Sequence, residues 1–178
     1  MSEKDIFYDT DCLSCFISID DVSILKQLFK KIVIPYEVYK EFSKVPVLKR
    51  RVDRLIKKGF IEVIDLNTNT PTYNLFVKLH RGYLFDKEMG KGEAAALALA
   101  IKNNGIIASN NTQDIIKAVE KYNLIQIKTG DILVKAYDLQ IITEDEGNAL
   151  WKKMLNQKRF LTEKTFTEYL KNNPHTPF

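Results

Sequence analysis

The chain has 178 residues, 45% of them hydrophobic and 28% charged, a balance that suits one well-filled globular domain and excludes disordered and fibrous classes. The formal net charge of +4 and a pI near 8.9 permit a polyanionic partner without demanding one. No apolar run reaches a membrane span, the N-terminus lacks a signal-peptide pattern, and two cysteines cannot build a disulfide framework, so the expectation is a cytoplasmic protein with no membrane contact.

In chain order, Ile6-Phe7-Tyr8 reads as a short buried strand that stops abruptly at Asp9, Thr10 and Asp11. Cys12 to Ile19 continues as an apolar helix, and Asp20-Asp21 opens a second that runs to about Phe29. Lys31-Ile32-Val33-Ile34 is the next strand, closed by Pro35, which cannot donate to a ladder. Tyr36 to Ser43 has helical spacing and sets Glu41 beside its apolar stripe, with Glu37 and Lys40 on the solvated side. Val47 to Lys58 is an amphipathic helix whose polar side carries Lys49, Arg50, Arg51, Arg54, Lys57 and Lys58. Those cations suit either a nucleic-acid track, with Lys49, Arg50, Arg54 and Lys57 as its candidates, or a solvated face.

Gly59 ends that helix, Ile61 to Ile64 is a third strand, and a helix near Tyr73 to His80 follows a polar loop. Glu93 to Ile101 is apolar on all sides, the mark of a helix buried all round. The strand Ile106-Ile107-Ala108 runs into a polar cluster from Ser109 to Asp114, repeating the pattern at Asp9. A helix over Ile115 to Tyr122, a strand over Ile125 to Ile127 and a helix from Thr129 to Leu139 come next. Thr143 to Glu146 is a capping box for a helix to about Lys158, and Thr162 starts another that ends near Asn172. Strands separated by helices predict an α/β fold with a mainly parallel sheet of about five strands and helices on both faces. The expected organisation is a core over residues 1–130 and a helical C-terminal extension over 131–178 packed on the same domain.

Four acids occupy comparable places: Asp9 and Asp114 just past strand ends, Glu41 beside an apolar stripe, and Glu93 opening a buried helix. In a parallel sheet the strand C-termini share one edge, so these groups converge, and converging carboxylates need a counter-charge to remain ionised. A divalent cation supplies it, and oxygen donors without His or Cys partners select Mg²⁺ or Mn²⁺, the ions of phosphoryl-transfer sites. Taken singly, Asp9 reads as well as a helix cap and Glu93 as a carboxylate favoured by the helix dipole.

The elements Asp9-Thr10-x-x-Leu13, Ile34-Pro35-x-x-Val38-x-x-Glu41, Gly90-x-Gly92-Glu93-Ala94-Ala95-x-Leu97 and Ser109-x-Asn111-x-x-Asp114, in this order, resemble the PIN-domain family, the fold of many bacterial toxin ribonucleases. Thr129 to Thr143 also resembles the tail of one bacterial PIN subgroup. The resemblance implies a three-layer sandwich and a metal-dependent endonuclease that hydrolyses phosphodiester bonds of single-stranded RNA. It assigns catalysis and metal binding to Asp9, Glu41, Glu93 and Asp114, with Thr10, Ser109 and Asn111 in support and Asp11 left to cap the following helix. It also implies an antitoxin protein and a homodimer as partners, whereas the acidic site does not by itself distinguish RNA from DNA.

Three rivals stand beside this reading. The fold could persist as a catalytically silent binding module. Cys12-Leu13-Ser14-Cys15, between a strand and a helix, has the form of a thiol redox site. Zinc is disfavoured, because His80 and His175 lie far apart without a second Cys pair.

Overall fold

The computed structural model describes residues 4–178. In order, the chain forms β1 (Ile6–Tyr8), α1 (Thr10–Ser18), α2 (Ser23–Leu28), β2 (Ile32–Pro35), α3 (Tyr36–Ser43), α4 (Pro46–Lys57) and β3 (Ile61–Ile64). There follow α5 (Pro71–His80), α6 (Lys91–Asn103), β4 (Ile106–Ala108), α7 (Thr112–Lys121), β5 (Ile125–Ile127), α8 (Thr129–Asp138), α9 (Glu144–Asn156) and α10 (Phe166–Asn172). All strand pairings are parallel, and the five strands stand in the order β3-β2-β1-β4-β5.

Alternation along the strands divides the core into two halves. Tyr8, Ile32, Ile34, Ile106 and Ala108 face one apolar cluster, whereas Phe7, Val33 and Ile107 face the other. The first cluster is covered by α1, α2 and the C-terminal helices, which contribute Trp151, Met154, Phe166 and Tyr169. The second is filled by α6, whose Ala94 to Ala100 are all nearly inaccessible, with α5 and α7 beside it. Small side chains on α6 let it lie close to the sheet and to α3. Helices on both faces of a parallel sheet complete three layers.

The chain winds from β1 to β2 to β3 on one side and then returns to place β4 on the other side of β1. This reversal makes the C-terminal edge between β1 and β4 a topological switch point, where open α/β sheets form their crevices. Tyr8 lies in register with Ala108, so Asp9 and Ser109 are the first residues beyond that edge.

Several boundaries differ from the sequence expectation for local reasons. α2 begins at Ser23 because Asp20 adopts a left-handed φ of 54° and Asp21 Oδ1 accepts the Ser23 N–H at 3.0 Å. α10 begins at Phe166, capped by Thr165, whose Oγ1 accepts the Glu168 N–H at 3.1 Å, and Thr162 lies ahead of it in irregular chain. α8 starts at Thr129, as its sequence predicts. Glu37 is not solvated: its side chain is 11% exposed, and one oxygen has no partner. Among the described residues no helix is long and apolar enough to cross a membrane.

Candidate functional site

Asp9 follows β1 directly and is the N-cap of α1. Its backbone N–H continues the sheet by donating to Ala108 O at 2.9 Å. One carboxylate oxygen accepts the Thr10 N–H at 2.6 Å and the other accepts the Ser109 hydroxyl at 3.3 Å. The same side chain is thus both cap and cleft-lining acid, and the two readings of the sequence do not compete. Asp11 corrects the expectation that it would be the cap. It sits in the first turn of α1, lines the cleft, and accepts the Asn110 N–H at 3.1 Å, tying α1 to the end of β4.

Glu41 comes from α3, on the face turned toward α6. Its carboxylate accepts the Thr10 hydroxyl at 2.5 Å and the Gly92 N–H at 3.1 Å. A Cβ on residue 92 would stand 2.8 Å from Glu41 Oε1, so glycine is what allows this approach. Glu93, next in the chain, is 6% exposed and its Oε1 has no hydrogen-bond partner. Asp114, in the first turn of α7, pairs with Lys87 and accepts from Asn111 Nδ2 at 2.5 Å.

Asp9, Asp11, Glu41, Glu93 and Asp114 line one open cleft of about 460 Å³ at the C-terminal edge of the sheet. Its electrostatics follow from crowding acids with little water. Burial pushes Asp9 well above the ordinary carboxylate range, and the charges of Asp11, Glu93 and Glu41 push the same way against the Thr10 N–H. Burial, then Asp114 and Asp11, raises Glu93 to about 8. Burial also raises Asp11, opposed by the Asn110 and Cys12 N–H groups. Asp114 is instead lowered, by its bond to Lys87. Among the described residues, no group of three or more His, Cys, Asp or Glu stands poised around a single point to hold an ion. Asp114 is turned to Lys87, and Glu41 to Thr10 and Gly92.

A family model described as PIN domain matches residues 5–173. The chain belongs to the PIN-domain family. A search of curated proteins finds no significant match. As a PIN domain the chain carries a fold of nucleases, and divalent metals are the usual cofactors of that fold.

Within this PIN domain all four acids singled out from the sequence line the cleft. The three supporting residues touch them: Thr10 bonds Glu41, Ser109 bonds Asp9, and Asn111 bonds Asp114. Lys49, Arg50, Arg54 and Lys57 on α4 do not line it. Arg54 is engaged by Asp20 and Lys49 by Asp53, as on a solvated, self-paired surface. The cations that do line the cleft are Lys158 and Arg159, from the C-terminal extension, with Phe160 beside them.

Sequence reading also missed Asn110. It is 7% exposed, with Oδ1 accepting the Thr129 N–H at 2.9 Å and Nδ2 donating to Thr129 Oγ1 at 3.0 Å, so it locks the end of β4 to the start of α8. A buried asparagine bracketed by Ser109 and Asn111 carries no periodic signal that would single it out. The thiol reading fails on environment. Burial pushes Cys12 well above the ordinary thiol value and Cys15 to about 11, the opposite of what a redox nucleophile needs. His80 contacts Met89 O through Nδ1 at 2.7 Å and stacks on Phe76, a packing role.

Proposed function

We propose that this PIN domain is a Mg²⁺- or Mn²⁺-dependent endonuclease that hydrolyses phosphodiester bonds of single-stranded RNA in the cytoplasm. The observation that carries the reading is Glu93: a nearly inaccessible carboxylate with an unpartnered oxygen, beside further acids in a cleft at the switch point. An orphaned buried acceptor crowded by further acids is costly, and a cation bound in the cleft would satisfy it. Five carboxylates with no His or Cys donor in the cleft fit a hard divalent cation.

Asp9, Glu93 and Asp114 would hold the cation, with Glu41 as a further ligand or as a base. When bound, the metal supplies positive charge for the phosphoryl oxygens and lowers the pKa of water. Asp9 is oriented through both oxygens and brings a ready-made position to the site. Asp114 has to exchange Lys87 for the cation, an exposed ion pair worth roughly 0–1 kcal/mol and therefore easily released. Glu41, pinned by Thr10 and Gly92, would take a proton from the attacking water. The water oxygen bonds to phosphorus, the bond from phosphorus to O3′ breaks, O3′ takes a proton from solvent water, and the products carry a 5′-phosphate and a 3′-hydroxyl.

Purified protein mixed with single-stranded RNA in Mn²⁺ or Mg²⁺ should cleave it, and excess chelator should stop the reaction. Asp9→Asn should lose cleavage while keeping the fold, since asparagine caps α1 about as well as aspartate. Absence of chelator-sensitive cleavage by the wild type would sink the enzyme reading and favour a silent binding module. Cleavage of single-stranded DNA at the same rate would remove the preference for RNA.

A further inference from the structure

α9 ends in a motif that normally calls for glycine. The Lys158 N–H bonds Leu155 O at 2.8 Å and the Arg159 N–H bonds Met154 O at 3.1 Å, the paired closure of a Schellman cap, with Lys158 at φ 57° in the left-handed position. A lysine there costs on the order of 1 kcal/mol relative to glycine. What the cap does is turn the chain sharply, so that Lys158, Arg159 and Phe160 reach the rim of the acid-lined cleft.

Two bonds fasten the turn to the catalytic edge. Arg159 Nη1 donates to Ser14 Oγ on α1 at 3.3 Å, and Phe160 O accepts from the buried Asn110 Nδ2 at 3.4 Å. The backbone carbonyl of Phe160 is thus held while the residue is 68% exposed. Leu161 and Phe166, close behind it, turn into the core, whereas Phe160 is the large apolar side chain of this segment presented to solvent. An anchored, exposed aromatic residue beside two cations, on the lip of a cleft containing Glu93 with its unpartnered Oε1, matches a nucleotide in three parts: base, phosphate and metal-held scissile group.

Resting on the nuclease reading above, we propose that Lys158-Arg159-Phe160 is a nucleotide-gripping arm. The Phe160 ring stacks on an unpaired base next to the scissile phosphate, and Lys158 and Arg159 hold the backbone phosphate of that nucleotide. The arm selects single strands, because a base in a duplex has both faces stacked and offers none to the ring. It also gives the C-terminal extension a task at the active edge besides closing the core. Stacking tolerates any base, so the arm contributes affinity and little sequence preference.

The test uses the full chain carrying Asp9→Asn, which silences cleavage, and a fluorescein-labelled single-stranded RNA followed by anisotropy. Adding Phe160→Ala should weaken binding about tenfold, within the range of single base–aromatic stacks. Adding Lys158→Ala should weaken it severalfold and lower the slope of log K against log salt by roughly 0.7, the loss of one phosphate contact on a single strand. Tyr83→Ala, which removes another exposed aromatic (74%) that does not line the cleft, should change nothing. In otherwise wild-type protein, Phe160→Ala should raise KM far more than it lowers kcat. Scanning one abasic site along the RNA should find a position at which the effect of Phe160→Ala disappears. Equal binding with and without the ring, or an effect indifferent to every abasic position, overturns the arm. So does a Phe160→Ala variant that alters sedimentation and leaves RNA binding unchanged, since the ring would then be a protein contact. Wild-type protein that neither binds nor cuts RNA overturns the nuclease reading itself, whereas efficient cutting that is indifferent to Phe160 overturns the arm alone.

Discussion

Replacing Glu93 with glutamine separates an acid kept for a ligand from one that holds the fold together. In the metal-free protein Glu93 is raised from the usual 4.5 to about 8, first by burial and then by Asp114 and Asp11. Between those two values the folded chain keeps a proton that the unfolded chain has released. The unfolded state then binds fewer protons, and stability falls as pH rises. At about 1.4 kcal/mol per pH unit the full effect would be roughly 5 kcal/mol, which screening at a cleft open to water reduces to about 1–3 kcal/mol. A chain of this length gains about 2–4 °C in Tm per kcal/mol, so in chelator Glu93→Gln should melt several degrees above wild type near pH 8. Near pH 5, where Glu93 is protonated in the folded wild type, the two proteins should coincide. Asp9, Asp11 and Asp131 are raised in the same direction, so the slope in the variant should shrink and not vanish. Added Mn²⁺ should raise the wild-type Tm most at high pH, and should do so much less in Glu93→Gln. Melting curves in chelator and in Mn²⁺ across this range decide the matter. A variant less stable than wild type near pH 8, or an undiminished Mn²⁺ shift, would refute the assignment.

Gly92→Ala should cut cleavage roughly ten- to a hundredfold, because the new Cβ forces Glu41 off the residue-92 N–H. Its Tm should hardly move, since the flexible end of Glu41 yields and alanine favours the helix, so kcat/KM and melting should part company. Gly147→Ala acts elsewhere: a Cβ there runs into the Phe166 ring between α9 and α10, an overpacking that should cost about 1–3 kcal/mol. Calorimetry should show one transition moved down by several degrees, and two separate transitions would mean that the extension unfolds apart from the core.

Much of the architecture was legible because it rests on local patterns. Short β-branched runs between helical segments predict a parallel sheet, and all five strands form where those runs lie. The apolar run from Ala94 to Ala100 marks the central helix for the same reason: burial on every side leaves no polar face to write. Helix starts were read less well, since Asp20, Asp21 and Thr162 offer capping chemistry that only the path of the backbone accepts or refuses. The acids were legible as a set because each breaks a hydrophobic pattern, Asp9 by ending a strand, Glu41 by adjoining a stripe and Glu93 by opening a buried helix.

Asp11 and Asn110 show where such reading stops. Each stands in a polar cluster in which several residues could equally face solvent, and their roles come from meeting across β1 and β4, the bonded partners lying 99 positions apart in the chain. The bond between Arg159 and Ser14 spans 145 residues, and no periodicity on α1 or α9 predicts it. By itself the sequence determined the elements, their alternation and the acids at their ends, since those depend on how each residue treats its near neighbours and water. Which of these groups share the cleft, that Asp114 turns to Lys87, and that the C-terminal turn brings cations and a bare ring to the acidic edge were decided by the tertiary structure alone. The physical reason is that hydrophobic patterning states which face of a segment is buried, whereas packing of whole layers selects which distant segment lies against it.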